Sequence, residues 1–247
     1  MSNSIFQWIW GLVLGFLPGM IWLFFFLRED NAQKPTPRSM IAKVYFAGIL
    51  SALMALLVEI LLHDFLSGVT ITIPRIIEDN VSVFLGFAVI EEIIKFVFVY
   101  FVVRKSKFFD EPIDAMIYLI TGALGFATAE NFFLVFSSQT AQEAFSIILL
   151  RFIGATLLHA LTAAILGHHW ARGIRFRIEG RLVVEGLVLA TLAHTLFNYL
   201  IFKFNDYLVY PTVFLLTLGF FVLYDFEELK KMEETDERLI NAPQKAQ

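Results

Sequence analysis

Apolar runs of around twenty residues recur along the whole chain, separated by short polar stretches. A helix of about twenty apolar residues crosses the roughly 30 Å hydrocarbon core of a bilayer, so each run predicts a span. Seven are predicted, over 5–27, 40–66, 81–103, 113–136, 145–170, 182–203 and 207–226. The breaks carry loop chemistry: NAQKPTPRS after the first run, SGVTITIPR after the second and RKSKFFDEP after the third. Pro112 suits the first turn of a new helix. The predicted fold is all-α, a polytopic membrane helix bundle. One helical domain is expected over residues 1–226, followed by a charged tail over 227–247. Mixed charges at helical spacing in DFEELKKMEETDERL predict that the last helix continues into water as a solvated cap. No internal repeat is evident.

Loop charge orients the bundle. Arg28, Lys34, Arg38 and Lys43, then Arg104, Lys105 and Lys107, then Arg172, Arg175, Arg177 and Arg181 fall on one side of a seven-span arrangement. The opposite loops hold only Arg75 and Lys203. Positive loops stay in the cytoplasm, which predicts an outside N-terminus and a cytoplasmic C-terminus. The first run follows a neutral MSNS, and Arg28 comes after it. A cleaved signal would have a positive leader and a small-residue cleavage site, so this run is read as a retained span.

Composition agrees with the pattern. The 247 residues are 58% hydrophobic and 17% charged, with 28 phenylalanines, where a soluble domain carries about 25% charge. There is no cysteine, which excludes disulfides, thiolate metal sites and cysteine nucleophiles. The expected surroundings are a lipid bilayer, and no nucleic-acid partner is expected.

Against this background a few polar residues stand out. VIEEIIKF places Glu91, Glu92 and Lys95 in the middle of the third run. Each charge at the centre of a membrane helix costs about 2.5–3.5 kcal/mol, and three together about 8–10 kcal/mol if nothing offsets them. His159 lies near the middle of span five and His194 near the middle of span six, with Asn198 one turn on. Glu130 and Asn131 occupy the outer half of span four. Four helices thus bring ionisable groups to similar depths, the pattern of a shared site. Lys95 can pair with either glutamate, at three or four residues' spacing. The two glutamates point about 100° apart, so one can serve the lysine while the other faces a cavity. His194 and Asn198 share a helix face. TGALGFATAEN sets Ala123 with Ala127, and Gly125 with Ala129, at the spacing that lets helices approach closely; His159, Ala163 and Gly167 share a face of span five.

Other polar residues read as peripheral. Glu59 and His63 form an interfacial pair, Arg151 and Glu185 lie close enough to span ends to snorkel, and His168 and His169 face headgroups beside the basic loop.

EEIIKF, IDAMIYLITGALGFATAEN, LLHALTAAILG and LAHTLFN together resemble the PrsW family of intramembrane proteases. That family belongs with the CAAX prenyl endopeptidases and bacteriocin-processing enzymes. The shared pattern is a paired-glutamate motif, then one histidine, then a histidine four before Asn or Asp. The resemblance covers roughly residues 85–200, in the same order and spacing. PrsW-like sequences often have Asp where this chain has Asn198, and the CAAX branch usually has Asn; the span-four stretch favours PrsW.

The resemblance implies peptide-bond hydrolysis at membrane depth in a multi-pass protein of a bacterial plasma membrane. It further implies a single-span membrane protein as substrate, and in PrsW the initiating cut in an anti-sigma factor. A mechanism fits the residues: Glu91 or Glu92 with His159 activates a water, and His194 and Asn198 donate to the developing oxyanion. Lys95 holds the second glutamate, while Glu130 and Asn131 orient the neighbouring groups. No cofactor is required by this reading, yet Glu91, Glu92, His159 and His194 offer a donor set for zinc. The H-E-x-x-H helix signature is absent, and the reading leans to metal-independent glutamate catalysis. Gly-x-Ser-Gly is also absent, and Tyr224-Asp225 has no Gly-x-Gly-Asp partner. Two rivals remain at this stage: a non-catalytic scaffold or chaperone on the same fold, and an ion-coupled transporter, whose related halves with broken spans are not found here.

Overall fold

The computed structural model describes residues 2–30, 34–68, 81–204 and 207–241, with side chains described over 11–30, 34–62, 81–204 and 207–235. Eight helices, and no strand, occur among the described residues: α1 (Ser2–Phe26), α2 (Arg38–Gly68), α3 (Val81–Val103), α4 (Pro112–Ser137), α5 (Ala141–Ile153), α6 (Ala155–Phe176), α7 (Glu179–Lys203) and α8 (Val209–Asn241). Five stretches are long and apolar enough to cross a membrane: Arg38–Leu62, Pro112–Ser137, Ala141–Phe176, Glu179–Lys203 and Val209–Thr235. α1 contributes a shorter apolar stretch, Gly11–Phe26. α3 falls outside the five because Glu91, Glu92 and Lys95 interrupt it. Large apolar side chains such as Phe24, Phe46, Leu216 and Phe220 are exposed around the outside, while polar groups collect within. A surface this apolar is stable only against another apolar phase.

α4 is the axis of the bundle. It is buried almost continuously from Ile113 to Ala129 and packs against α1, α2, α3, α5, α6 and α8. Its start is over-determined: Pro112 occupies the first turn, and Asp114 Oδ2 accepts from the Asp110 and Glu111 amides at 3.0 and 2.9 Å. The small residues let α2 and α6 come to backbone contact. A Cβ on Gly48 would collide with the Gly122 carbonyl oxygen, and one on Gly125 with the Tyr45 carbonyl oxygen. Helices with no hydrophobic drive to associate gain from such close approach. Gly48→Ala is therefore expected to force α2 off α4 and to destabilise by about 1–3 kcal/mol, seen as a lower thermal midpoint in detergent. An unchanged midpoint would contradict this packing.

Span five departs from the expected single helix. The chain breaks at Gly154, with φ −89° and ψ −104°, between α5 and α6. A Cβ there would lie 2.8 Å from the Leu150 carbonyl oxygen. Trp22 Nε1 donates to the Phe152 carbonyl at 2.7 Å, partnering a carbonyl that the break takes out of the helical ladder. α6 ends at Arg177, whose left-handed backbone (φ 58°) closes the last turn.

The charged segment after Phe226 is not simply a solvated cap. α8 runs through it unbroken, Leu229 is fully buried in the core, and Lys230 donates to Glu29 Oε2 at 2.7 Å. Leu229 lies seven residues, or two turns, beyond Val222 on the buried face of α8. Loops on this side meet as well: Lys34 pairs with Asp110, whose carboxylate raises the ammonium above its usual range, and Thr36 Oγ1 donates to Asp114 Oδ1 at 3.3 Å. Arg75 in the second loop lies outside the described residues.

Candidate active site

Five helices deliver one hydrogen-bonded chain of buried and half-buried side chains. It begins at Glu92 on α3, whose Oε1 accepts from Lys95 Nζ at 2.7 Å, His194 Nδ1 at 2.8 Å and Thr162 Oγ1 at 3.2 Å. A carboxylate only accepts, so His194 donates to it through Nδ1–H. Lys95 lies 3.1 Å from His159 Nδ1 and 4.9 Å from the Phe126 ring centroid. An ammonium only donates, so His159 Nδ1 accepts and Nε2–H donates to Glu130 Oε2 at 2.8 Å. Glu130 Oε2 also takes Arg151 Nη2 at 2.8 Å, Arg151 Nε donates to Asn131 Oδ1 at 2.5 Å, and Asn131 Nδ2 donates to Thr156 Oγ1 at 3.2 Å. The rings of His159 and His194 meet edge to face, 5.0 Å apart.

Glu91 is the exception. Its Oε2 is buried and makes no hydrogen bond among the described residues, although His194 Nε2 lies only 3.9 Å away. No hydrogen bond closes across this gap. Three carboxyl groups thus face two fixed cations, Lys95 and Arg151, and Glu91 is the one without an ion-pair partner of its own among them. A buried carboxyl left open in this way is ready for a proton, a water or a cation. Glu91, His159 and His194 each offer a ligand atom within 4.8 Å of the others; Glu92, expected as a fourth ligand, is instead committed to Lys95, His194 and Thr162.

Most of the expected residues thus meet. Glu91, Glu92, Lys95, Glu130, Asn131, His159 and His194 converge, while Asn198 is half-buried one turn beyond His194 and its side chain joins none of these hydrogen bonds. Lys95 pairs with Glu92, which separates the two glutamates into a bound and an unbound one. Arg151, expected to snorkel, is turned inward by the break at Gly154; a glycine three residues after an intramembrane arginine was the available signal. Thr156 and Thr162 carried no signal, since threonine is common in membrane helices. His168, expected to face headgroups, is buried against α8. The side chain of His63 lies outside the described residues, so its expected pair with Glu59 does too. Glu185 pairs on the surface with Arg181 at 2.8 Å.

The fold and this network define a polytopic membrane protein with an acid–imidazole centre inside its bundle, closed at Glu92 and His194 and partly open at Glu130 and Arg151. Residues 36–224, which include every residue of the network, match the PrsW family of intramembrane metalloproteases, and the chain belongs to that family. It is similar to Protease PrsW of Geobacillus kaustophilus, with 24% identity covering 87% of this chain and 90% of the relative. Protease PrsW of Oceanobacillus iheyensis is 23% identical over 90% of this chain and 96% of its own, and that of Bacillus subtilis 24% identical over 85% and 90%. No solved structure matches the chain. The protein is an intramembrane protease, a multi-pass protein of the plasma membrane.

Proposed function

We propose that this protease hydrolyses a peptide bond of a single-span membrane protein with a water held between Glu91 and His194. The observation that supports this reading is the unpartnered, buried Glu91 Oε2 facing His194 Nε2 at 3.9 Å. That separation is too long for a hydrogen bond and suits a bridging water that donates to both. Glu91 takes a proton from this water as its oxygen adds to the scissile carbonyl carbon. The proton then passes to the amide nitrogen, the C–N bond breaks, and a carboxyl and an amino terminus leave. Glu92 orients His194 through Nδ1–H, and Lys95 and Thr162 hold Glu92 in place. The oxyanion donor in this scheme is the amide of Asn198, which the network leaves uncommitted; such a donor is worth about 2.7–4 kcal/mol. His194, first expected to share that role, has Nε2 as an acceptor and serves the water instead.

The donor set also fits a zinc ion. Glu91, His159 and His194 are the residues that would hold it, a carboxylate and two imidazoles as in catalytic zinc sites. Glu92 and Glu130 would back the two histidines through their other ring nitrogens. Zinc bound there supplies Lewis-acid polarisation and an acidified water. Zinc-assisted catalysis is the second reading, and one contact counts against it: Lys95 Nζ lies 3.1 Å from His159 Nδ1, a cation where a ligand lone pair is needed.

The remaining assignments follow from loop charge and family. Seven spans put the N-terminus outside and the C-terminus in the cytoplasm. The protease domain covers residues 1–226, and the charged stretch 227–247 lies in the cytoplasm. The substrate we assign is a single-span protein such as an anti-sigma factor. Mass spectrometry of single-span peptides incubated with purified protein tests the reading. A defined new terminus is expected, and exhaustive chelation followed by zinc restoration is expected to abolish and restore it if zinc is resident. Cleavage that survives removal of all bound metal selects the metal-free scheme. No cleavage across a broad panel that includes anti-sigma-factor-like spans overturns the substrate assignment.

A further inference from the structure

Nine residues beyond His159 on α6, a second group of ionisable side chains lies apart from the network. His168 is 4% exposed and looks across to α8. Its Nδ1 is 3.7 Å from Asp225 Oδ1, and its Nε2 is 3.4 Å from Glu228 Oε2. No hydrogen bond closes on Nε2 among the described residues. Arg172 Nε, 3.8 Å from Glu228 Oε1, likewise has none. Buried polar atoms are almost always partnered, so two such atoms side by side call for a missing group.

The separations indicate which group. An N–H···O hydrogen bond spans about 2.7–3.2 Å, so 3.4 and 3.7 Å are too long for an imidazolium clasped by two carboxylates. Zinc ligands at about 2.0–2.2 Å in a tetrahedron stand roughly 3.3–3.6 Å from each other, which the Nε2 to Oε2 distance matches. One ligand atom from each of His168, Asp225 and Glu228 lies within 4.8 Å of the others. One imidazole with two carboxylates suits a borderline dication, and the two acids balance its charge. Arg172 faces the other oxygen of Glu228, which leaves Oε2 for an ion. Glu228 also lines a cavity of about 330 Å³ at the ends of α6 and α8. Of the three ligands Glu228 alone faces that cavity, which brings water to this side of the group.

We propose that His168, Asp225 and Glu228 form a second divalent-metal site, of the zinc class, that ties α8 to α6. At 1.5 Å per residue it lies about 13 Å along α6 from His159, far beyond the roughly 3.5–4 Å between paired catalytic metals. Its role is to anchor the last helix rather than to act on substrate. The site stands whether or not the catalytic centre takes a metal.

The test uses the full chain in lipid nanodiscs, stripped with chelator, re-equilibrated with Zn²⁺ alone and desalted. Zinc per chain is then measured by mass spectrometry. His168→Ala, Asp225→Asn and Glu228→Gln are each expected to carry one zinc fewer per chain than wild type. Glu91→Gln is expected to keep the zinc that His168→Ala loses. Zn²⁺ is expected to raise the thermal midpoint of Glu91→Gln but not that of Glu91→Gln/Glu228→Gln. Glu228→Gln keeps the shape of the side chain, which guards against a merely unfolded variant. Equal zinc content in wild type, Asp225→Asn and Glu228→Gln would overturn the proposal, as would equal midpoint shifts in the last pair.

Discussion

Glu91→Gln is expected to lower kcat by about 10²–10⁴-fold, the range for loss of a general base, while the thermal midpoint stays level or rises. The amide keeps the size and shape of the carboxylate but cannot take a proton from the water. Stability is spared because Glu91 Oε2 has no hydrogen bond to lose. The neutral amide also breaks no ion pair, since Lys95 and Arg151 are paired with Glu92 and Glu130. Cleavage rates and thermal unfolding on the same preparation check both halves. Activity within a few-fold of wild type would remove Glu91 from the chemistry. A large fall in midpoint would show that it is a structural group.

Glu92→Gln should behave in the opposite way in stability, although the two glutamates are adjacent in the chain. Glu92 Oε1 holds Lys95, His194 and Thr162 at once, and its side chain is only 1% exposed. Removing one partner of a buried pair leaves the other charge uncompensated, at a cost of about 3–5 kcal/mol. The variant is expected to unfold at a clearly lower temperature and to lose cleavage because His194 is no longer oriented. Glu92→Gln/Lys95→Met removes both charges and should recover much of the lost stability, without restoring activity. A double-mutant cycle on the thermal midpoints measures this coupling. Additive effects would mean that the pair is not the main support of Glu92.

The contrast between neighbours shows how far each level of description reaches. Hydropathy, loop charge and the four polar motifs are local features, and each can be read residue by residue. They were enough to mark the apolar runs as helices, to pick out Glu91, Glu92, His159 and His194, and to suggest the family that residues 36–224 match. Small-residue spacing in TGALGFATAEN likewise marked the face on which α4 meets its neighbours. Arg151 is the counter-example: its distance from the span end suggested solvent, and the turn at Gly154 carried it inward to Glu130 and Asn131. His168 is another, since its loop neighbours are basic but its spatial neighbours are acids about sixty residues later on α8.

The sequence by itself determined that this is an all-helical membrane protein with acids and imidazoles at matched depth, because burial in lipid and helical spacing depend on residue type and local order alone. Only the tertiary structure decided that Glu92 is the held carboxylate and Glu91 the open one. Adjacent residues on a helix point about 100° apart, so the rotation of α3 against α6 and α7 selects between them. That rotation is set by the packing of many side chains from distant parts of the chain, which no local pattern records.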